Sequence, residues 1–527
     1  MINHTKYKDF LAIIIIYSCA FFSILLNDGL FWDGWVINNS SSEQLIQMFK
    51  DNGNYWYGYS FALIKSTGYM VLLSRVITFL TYLTVGLIFY QIIKRYTFEL
   101  SKYSLIVTLY FITFPVNFAR VTIMNTPYAI CLMFFALAYY LALKKYNNFF
   151  EICVVSILLF LSLFMSSLLF LVPVLLLHKF LFHSYSFNFK SVKNFLFSNM
   201  FLVLVPAAYV FIKLIFLDSG GMYQDSNYNQ ITINRLVVLP FRFLEGLYGS
   251  IVLPINLSIS YAVSNSILVL IFLFALNKVR IFSEDAHSSK NILNISYKKL
   301  LICSFALLFL GMIAYLLVGK TPSLTNWNSR HQILVPIGAS IFLFSIIYFG
   351  LTKIKSENIR KQLALLPIAI FITFNVNIYF SYIIDWYKQV SFIENVMESD
   401  KLMSSPTFII VDNTKELNAL SRSKSFMDYT GIFKQRLLSE NKLADEIYML
   451  DSNEYLKYKL DKVYGISDWK PSMPEYVVYL NYGSFSVDNL VILKMIFNKF
   501  SGSNKNLNNT KNILDIEVKK IGSYNDQ

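Results

Sequence analysis

Long apolar runs separated by short polar loops make up most of this chain. A helix rises about 1.5 Å per residue, so an apolar run of about 18 residues or more is long enough to cross a bilayer. The pattern therefore predicts a polytopic α-helical membrane protein. The eleven spans that it predicts lie at residues 10–27, 69–93, 103–119, 127–143, 149–164, 167–182, 195–217, 258–277, 300–318, 332–350 and 363–385.

Two apolar segments have more than one possible division into helices. The run 149–182 is too long for one span, and we divide it at residues 165–167 into two short helices joined by a tight turn. The segment 234–256 contains two prolines and two glycines together with charged side chains. We predict that it is amphipathic and lies in the outer membrane interface. The alternative is a kinked span, which would place the C-terminus on the other side of the membrane.

The chain changes character near residue 386, where charged residues become frequent and long apolar runs stop. We therefore predict a transmembrane domain over 1–385 and a small α/β domain over 386–527, outside the cell membrane. Segments 407–413 and 474–483 have the apolar, β-branched composition of strands. The stretch 421–450 has a helical pattern over most of its length.

Composition and charge agree with a membrane protein. Hydrophobic residues make up 55% of the chain and charged residues only 15%, although the net charge is +14. The excess of Lys and Arg falls in short loops on one side of the predicted spans, which sets topology and argues against nucleic-acid binding. This bias predicts a cytoplasmic N-terminus, with a first helix that is retained rather than cleaved as a signal peptide.

Cysteine usage excludes two kinds of site. The four cysteines all lie in apolar segments, where a buried free thiol is the ordinary state. Their positions predict neither a disulfide framework nor a metal cluster.

The stretch "NDGLFWDGWVINN" at 27–39 follows the first span and contains two acids, Asp28 and Asp33. Asp33 lies between Trp32 and Trp35, and a carboxylate beside apolar rings is expected to have a raised pKa. Such a carboxylate suits a general base near neutral pH. The alternative is that Asp28 caps a helix or turn and that Asp33 is an ordinary loop residue.

A second group of charges lies near the end of the predicted spans, in the loop 319–331. It contains Lys320 and enters the next span through "SRHQILVP", which places Arg330 and His331 at the outer boundary. A guanidinium presents a planar fork that matches phosphate oxygens. The alternative is a side chain that only anchors the helix at the interface.

Further polar residues fall in loops on the same predicted side. The short loop "ARVTIMNT" at 119–126 contributes Arg120 and Asn125, before a helix start that could face an anion. Asp51 is another acid of the first external loop. Acids, arginines and aromatic residues thus gather on one face, which suits a reaction on a lipid-linked phosphate substrate.

These features resemble those of the GT-C glycosyltransferases, which include protein O-mannosyltransferases, the aminoarabinose transferases of lipid A and bacterial O-antigen glucosyltransferases. The resemblance covers about residues 1–385: an acid after the first span, about eleven spans, a glycine-broken loop and a late "SRH" segment. The predicted external C-terminal domain is a further shared feature. Many members carry adjacent acids after the first span, whereas this chain has "WDGW" with Asp28 five residues before Asp33.

The resemblance implies transfer of a sugar, with inversion, from a polyprenyl-phosphate donor to a cell-envelope glycan or lipid-linked acceptor. The reaction would take place on the extracytoplasmic face of a bacterial plasma membrane. It implies Asp33 as the base, with Asp28 as the other candidate, and no tightly bound metal or other cofactor. The donor phosphate would be bound by Arg330, Arg120, Lys320 and His331, and the sugar or acceptor by Trp32, Trp35, Asp51 and Asn125.

Three other functions are compatible with parts of the pattern. A polysaccharide polymerase or O-antigen ligase favours a large late loop rich in Arg and His, whereas the loop 319–331 is short. A flippase or transporter would place its polar residues at the membrane midplane and often repeats its halves. A membrane scaffold without activity is the third.

Overall fold

The computed structural model describes most of the chain, and the account of the fold is confined to the residues that it describes. These are residues 4–97, 100–144, 146, 148–216, 232–278, 297–403, 407–424, 428–432, 448–451, 475–488, 491–495 and 510–521.

The described part of the chain is mainly helical, in agreement with the predicted class. The α-helices are α1 (His4–Phe21), α2 (Gly34–Asn39), α3 (Ser42–Asp51), α4 (Tyr55–Ser66), α5 (Met70–Tyr96), α6 (Ser104–Thr113), α7 (Thr126–Ala142), α8 (Phe149–Ser162), α9 (Val172–Phe182), α10 (Phe189–Ser198), α11 (Phe201–Phe216), α12 (Ile233–Val237), α13 (Leu239–Leu247), α14 (Leu253–Ser264), α15 (Ser266–Asn277), α16 (Tyr297–Leu317), α17 (Val335–Leu351), α18 (Glu357–Met397) and α19 (Asp400–Met403).

Several of these helices are long and apolar enough to cross a membrane. Within the described ranges there are six such segments, and a seventh if α10 and α11, which are bent by 63°, form one span. The helices α8, α15 and α17, and the 3₁₀–α9 segment Ser166–Phe182, are apolar but shorter. The predicted count of eleven spans is therefore not confirmed. The six segments are Tyr7–Leu26, Met70–Tyr96, Ile123–Ala142, Leu239–Ser264, Leu300–Leu317 and Glu357–Met397.

The two difficult segments have different outcomes. The division of 149–182 is confirmed, because α8 ends at Ser162 and a 3₁₀ helix begins at Ser166. At 234–256, α13 and α14 continue through a π-helical turn, Tyr248–Val252. The segment Leu239–Ser264 is long and apolar enough to cross a membrane, so the interfacial position stays a prediction beside the kinked-span alternative. A proline at the start of α14 lacks the N–H that an interior turn would use, and the wider turn accommodates it.

Contacts between segments far apart in the chain define two ends of the helical bundle, one of which lies next to the β-sheet described below. At one end, which we name the sheet end, Tyr57 donates to the carbonyl of Phe164 at 3.1 Å and Ala119 N donates to Ser329 at 3.1 Å. At the opposite end, which we name the basic end, Lys94 pairs with Asp9 at 3.0 Å. Loops predicted to share a membrane side thus lie together.

A small sheet follows the helices, with strands β1 (Thr407–Asp412), β2 (Tyr448–Asp451), β3 (Tyr476–Tyr482) and β4 (Leu514–Lys520). The strand order is β2-β1-β3-β4, in which β1 is parallel to both neighbours and β4 is antiparallel to β3. The two predicted strands are confirmed as β1 and β3. Much of the stretch 421–450, predicted to be largely helical, lies outside the described residues; residues 428–432 are helical, and the last three residues belong to β2, which pairs in parallel with β1.

Helix α18 connects the membrane part to the sheet. Its 41 residues extend about 60 Å, roughly twice the hydrocarbon thickness of a bilayer. It is continuous through residue 385, where we placed the domain boundary. Beyond that point Lys388 donates to Asp412 at 2.7 Å, and Ser391 donates to the carbonyl of Lys511 at 2.7 Å. The sheet is therefore packed onto the end of a transmembrane helix.

Candidate active site

The loop that carries Asp33 is held from three sides at the sheet end. Asn27 accepts a hydrogen bond from Gly29 N at 2.8 Å, and Arg75 of α5 donates to the carbonyl of Gly29. Gln389 of α18 donates to the carbonyl of Leu30 at 3.1 Å. These bonds order the backbone that leads directly into Trp32 and Asp33.

Trp32 and Asp33 form the turn into α2. Trp32 has a φ of 51°, a left-handed conformation that is costly for a bulky residue and persists only where its surroundings impose it. Asp33 is the N-cap residue of α2, but its side chain makes no capping hydrogen bond. The carboxylate is therefore not used to hold the helix, and it lies half-buried at the sheet end.

Arg330 lies beside this turn, although it is about three hundred positions later in the chain. It belongs to a 3₁₀ helix, Asn326–Gln332, which Gln332 anchors by donating to the carbonyl of Gly249 at 3.1 Å. The guanidinium carbon of Arg330 is 4.2 Å from the ring centroid of Trp32. The structure thus brings together the acid and the arginine that the sequence nominated separately.

The environment of Asp33 favours its protonated form. Burial raises the pKa of Asp33 to about 6, the positive charge of Arg330 opposes the rise, and the carboxylate of Asp428 adds to it. A carboxyl group with a pKa near the working pH can exchange a proton readily with a hydroxyl group. Perturbed acids of this kind are concentrated at functional sites.

His331 supports the side chain of Arg330. Its Nε2 accepts a hydrogen bond from Arg330 Nε at 3.1 Å, and its ring packs against Tyr315 with centroids 5.0 Å apart. Burial, with the charges of Arg330 and Lys320, lowers the pKa of His331 to about 3. The imidazole is therefore neutral at physiological pH, and it orients the arginine without adding a charge.

Cations concentrate around the same 3₁₀ helix. Burial lowers the pKa of Lys320, and the charges of Arg330 and Arg235 lower it further. Arg235 of α12 lies against Gly319, 3.3 Å from the position that a Cβ would occupy there. Mutual repulsion among three cations is offset when an anion binds between them, so this cluster suits a phosphate group.

The chain after α18 also reaches the site. Arg422 stacks on Trp327, with its guanidinium carbon 3.9 Å from the ring centroid, and Trp327 stacks on Trp32 with centroids 5.8 Å apart. Gly431 packs onto Trp35 so closely that a Cβ there would lie 2.4 Å from Trp35 Cβ. A larger residue at position 431 would push this segment off α2.

Sequence reasoning did not nominate Arg235, Arg422 or Asp428. Arg422 falls in the polar run "SRSKS", which has the composition of an ordinary surface segment. Arg235 falls in the segment that we expected to lie in the membrane interface. Only the tertiary packing identifies these three residues, because none belongs to a local motif.

Two predicted phosphate or sugar ligands lie elsewhere. Arg120 is buried between the rings of Phe21 and Tyr82, at 4.4 and 4.7 Å from their centroids, and donates to the carbonyls of Asn117 and Val116. Asn125 donates to the carbonyl of Ala119 at 2.5 Å, which stabilises the local turn. Both side chains are occupied inside the protein, so we leave them out of the proposed site.

The remaining candidates are two acids and a tryptophan. Asp28 is exposed and interacts electrostatically with Arg75. Asp51 is exposed at the end of α3, where it accepts a hydrogen bond from Gln47 at 2.6 Å. Trp35 is buried beneath the segment that contains Gly431, so it supports the site from below. Trp32 is the sugar-binding candidate that lies beside both Asp33 and Arg330.

Metal binding was not expected from the sequence. Across the described ranges, no three His, Cys, Asp or Glu side chains come together in a way that could hold a metal ion. The absence of a tightly bound metal stays a prediction.

Comparisons with known proteins give one distant likeness. No protein-family model and no curated protein matches the chain. Among solved structures, it is similar to the archaeal oligosaccharyltransferase AglB from Archaeoglobus fulgidus in complex with an inhibitory peptide and a dolichol-phosphate. The match has 12% identity and a TM-score of 0.36, and it covers 90% of this chain and 70% of that one. A likeness at this TM-score is too distant to assign a function.

Proposed function

We propose that this protein is a membrane glycosyltransferase that transfers a sugar from a polyprenyl-phosphate donor to a hydroxyl group of a cell-envelope glycan or lipid-linked acceptor. The observation that carries the proposal is the position of Arg330 over Trp32, beside the raised-pKa acid Asp33. A base, a cation cluster and an aromatic face meet there at the sheet end.

Each of these groups has a role in an inverting displacement. The carboxylate of Asp33 accepts the proton of the acceptor hydroxyl as its oxygen bonds to the anomeric carbon of the sugar. The bond between that carbon and the phosphate oxygen breaks, and polyprenyl phosphate leaves with the electron pair. Arg330 and Lys320 stabilise the charge that develops on the phosphate. Trp32 offers an apolar face to the sugar ring.

The proposed orientation places the sheet end outside the cytoplasm and the basic end inside, as the loop charges suggest. We expect a membrane-impermeant maleimide on intact cells to label a Lys519→Cys variant of β4 and not a Lys355→Cys variant. Both positions are exposed, one at each end. Both variants are made in a cysteine-free background. Labelling of Lys355→Cys alone would reverse the orientation.

The reaction can be tested with the purified full chain in lipid nanodiscs. Synthetic polyprenyl-phosphate hexoses are supplied with envelope glycans, and release of polyprenyl phosphate is measured with and without acceptor. Release that depends on the acceptor supports transfer. Absence of release with every hexose donor tried, from protein shown to be folded, would count against the proposal.

The pKa of Asp33 predicts how activity depends on pH. A base must be deprotonated, so kcat/KM is expected to fall about tenfold per pH unit below about pH 6. Because the carboxylate of Asp428 helps to raise that pKa, Asp428→Asn is expected to move the acid limb of the profile to lower pH. The measurement is a pH–rate profile between pH 4.5 and 8.

A matched control separates this effect from a general change of charge. Glu517→Gln removes an exposed acid of β4 and is expected to leave the acid limb where it is. An acid limb that does not move in Asp428→Asn, with thermal stability retained, would show that Asp428 does not act on the base.

A further inference from the structure

Arg422 is held in an unusual environment between the membrane part and the sheet. It follows a 3₁₀ turn, Ala419–Ser421, and only 7% of its surface is exposed. The guanidinium lies over Trp327, and the ring of Phe31 is 5.5 Å away on a second side. A charged side chain buried this far normally has its donors satisfied.

The donors of Arg422 are not satisfied within the described residues. Its Nε, Nη1 and Nη2 atoms are buried and make no hydrogen bond there. Arg422 Nη2 forms an ion pair with Asp385 at 3.6 Å, a distance too long for a good hydrogen bond. Asp385 already accepts from Lys424, from Gln389 at 3.1 Å and from Ala419 N at 2.9 Å.

Stacking alone does not account for this arrangement. The cation–π contact with Trp327 attracts the positive charge but supplies no oxygen acceptor to the N–H groups. Those N–H groups form a planar fork that matches two oxygens of a carboxylate or phosphate. A buried fork that makes no hydrogen bond to the described part of the chain is suited to an oxyanion brought by a ligand.

The aromatic residues next to Arg422 lead directly to the proposed active site. Trp327 stacks on Trp32, and the guanidinium of Arg330 lies over the ring of Trp32. Two arginines therefore flank one pair of stacked tryptophans. Arg330 comes from the membrane part, and Arg422 comes from the segment between β1 and β2.

We propose that Arg422 binds an oxyanion, a phosphate or a carboxylate, on the acceptor. This inference rests on the proposed function and deepens it. The donor's lipid tail must stay in the membrane, so its phosphate belongs to the cations of the membrane part, Arg330 and Lys320. The acceptor approaches the sheet end from water, and Arg422 belongs to the segment between β1 and β2 on that side. The protein thereby selects acidic acceptors over neutral ones.

The test measures binding by the full chain in nanodiscs and does not depend on turnover. The probes are glucuronate, glucose 6-phosphate and uncharged glucose, and isothermal titration gives their affinities. We expect one anionic probe to bind at least ten times more tightly than glucose. The probe that binds identifies the oxyanion as carboxylate or phosphate.

Three variants then locate the binding site. Arg422→Gln is expected to weaken the preferred probe at least tenfold, whereas Lys519→Gln, an equal loss of charge on the surface of β4, leaves it unchanged. Arg330→Gln separates the two arginines, because a loss of probe binding there alone would assign the oxyanion to the donor site. Unchanged binding in Arg422→Gln, or no preference for either anion, would overturn the proposal.

A second measurement covers the case in which Arg422→Gln does not fold. Phenylglyoxal modifies accessible arginines of the wild-type protein, and mass spectrometry quantifies modification at Arg422. We expect the preferred anionic probe to reduce that modification at least fivefold and glucose to leave it unchanged. Equal modification with and without the probe, or no modification in either case, would contradict binding at this residue. Because neither measurement uses catalysis, its outcome is separate from that of the Asp33 variants.

Discussion

Replacing Asp33 by asparagine is expected to lower sugar transfer by about a thousandfold, within the range that a positioned general base contributes. Asparagine has nearly the same shape but cannot accept the acceptor proton. The measurement is the initial rate of polyprenyl phosphate release at pH 7.5 with a saturating donor.

Asp28→Asn is the matched control for this variant. It removes the same charge from the same loop, five residues away, at an exposed position that interacts with Arg75. We expect it to retain activity within about threefold. Loss of activity in Asp28→Asn alone would move the base to Asp28. Full activity in both single variants would remove the single-base mechanism.

The stability of Asp33→Asn distinguishes catalysis from folding. Because the pKa of Asp33 in the folded state is raised to about 6, above its unfolded value of 3.8, ionisation of the carboxyl costs stability progressively between these two pH values, and the loss is complete at higher pH. Asparagine cannot ionise, so the variant is expected to unfold at the same temperature as the wild type or higher at pH 7.5. A marked fall in unfolding temperature would mean that Asp33 has a structural role.

Much of the helical architecture could be predicted from periodicity alone. Apolar runs mark the helices, and the serine pair at 166–167 marks the break between α8 and the next turn. At 234–256 the prolines and glycines do not interrupt the helix, because such residues end isolated helices but are tolerated where neighbours pack closely. Gly249 shows this: a Cβ there would lie 2.9 Å from the carbonyl oxygen of Pro322.

The sheet was predicted only in part, because a strand can depend on its pairing partner. The strands β1 and β3 have apolar, β-branched runs, whereas β2 has the local pattern of a helix and becomes a strand by pairing with β1. Helix α18 continues past residue 385, where charged residues become more frequent. Its later residues are polar because they bind the sheet, as Lys388 binds Asp412.

At the candidate site, the chemistry of single residues was predictable but their neighbours were not. Asp33 and Arg330 stand out by residue type and by their place at a predicted membrane boundary. Arg120 is also an arginine at a predicted membrane boundary, yet its side chain lies between the rings of Phe21 and Tyr82. Whether an arginine at such a boundary faces a ligand or an aromatic core depends on contacts far along the chain.

Replacing Arg330 by alanine is expected to lower sugar transfer by about a hundredfold to a thousandfold, the usual cost of removing one group that stabilises developing negative charge. The loss arises because the phosphate leaving group no longer meets the guanidinium beside Trp32. Arg330→Lys retains the charge without the planar fork, and we expect it to recover part of the rate. Initial rates at varied donor concentration measure both variants.

The pH profile gives this prediction a second, independent readout. Because the charge of Arg330 lowers the pKa of Asp33, its removal is expected to move the acid limb to higher pH, opposite to the shift expected for Asp428→Asn. Arg95→Ala, an exposed arginine at the basic end, is the control and should change neither rate nor profile. A reduced rate with an unmoved acid limb would mean that Arg330 acts on the donor without acting on the base. An unchanged rate with an unchanged limb would remove Arg330 from the site and leave Asp33 without its partner.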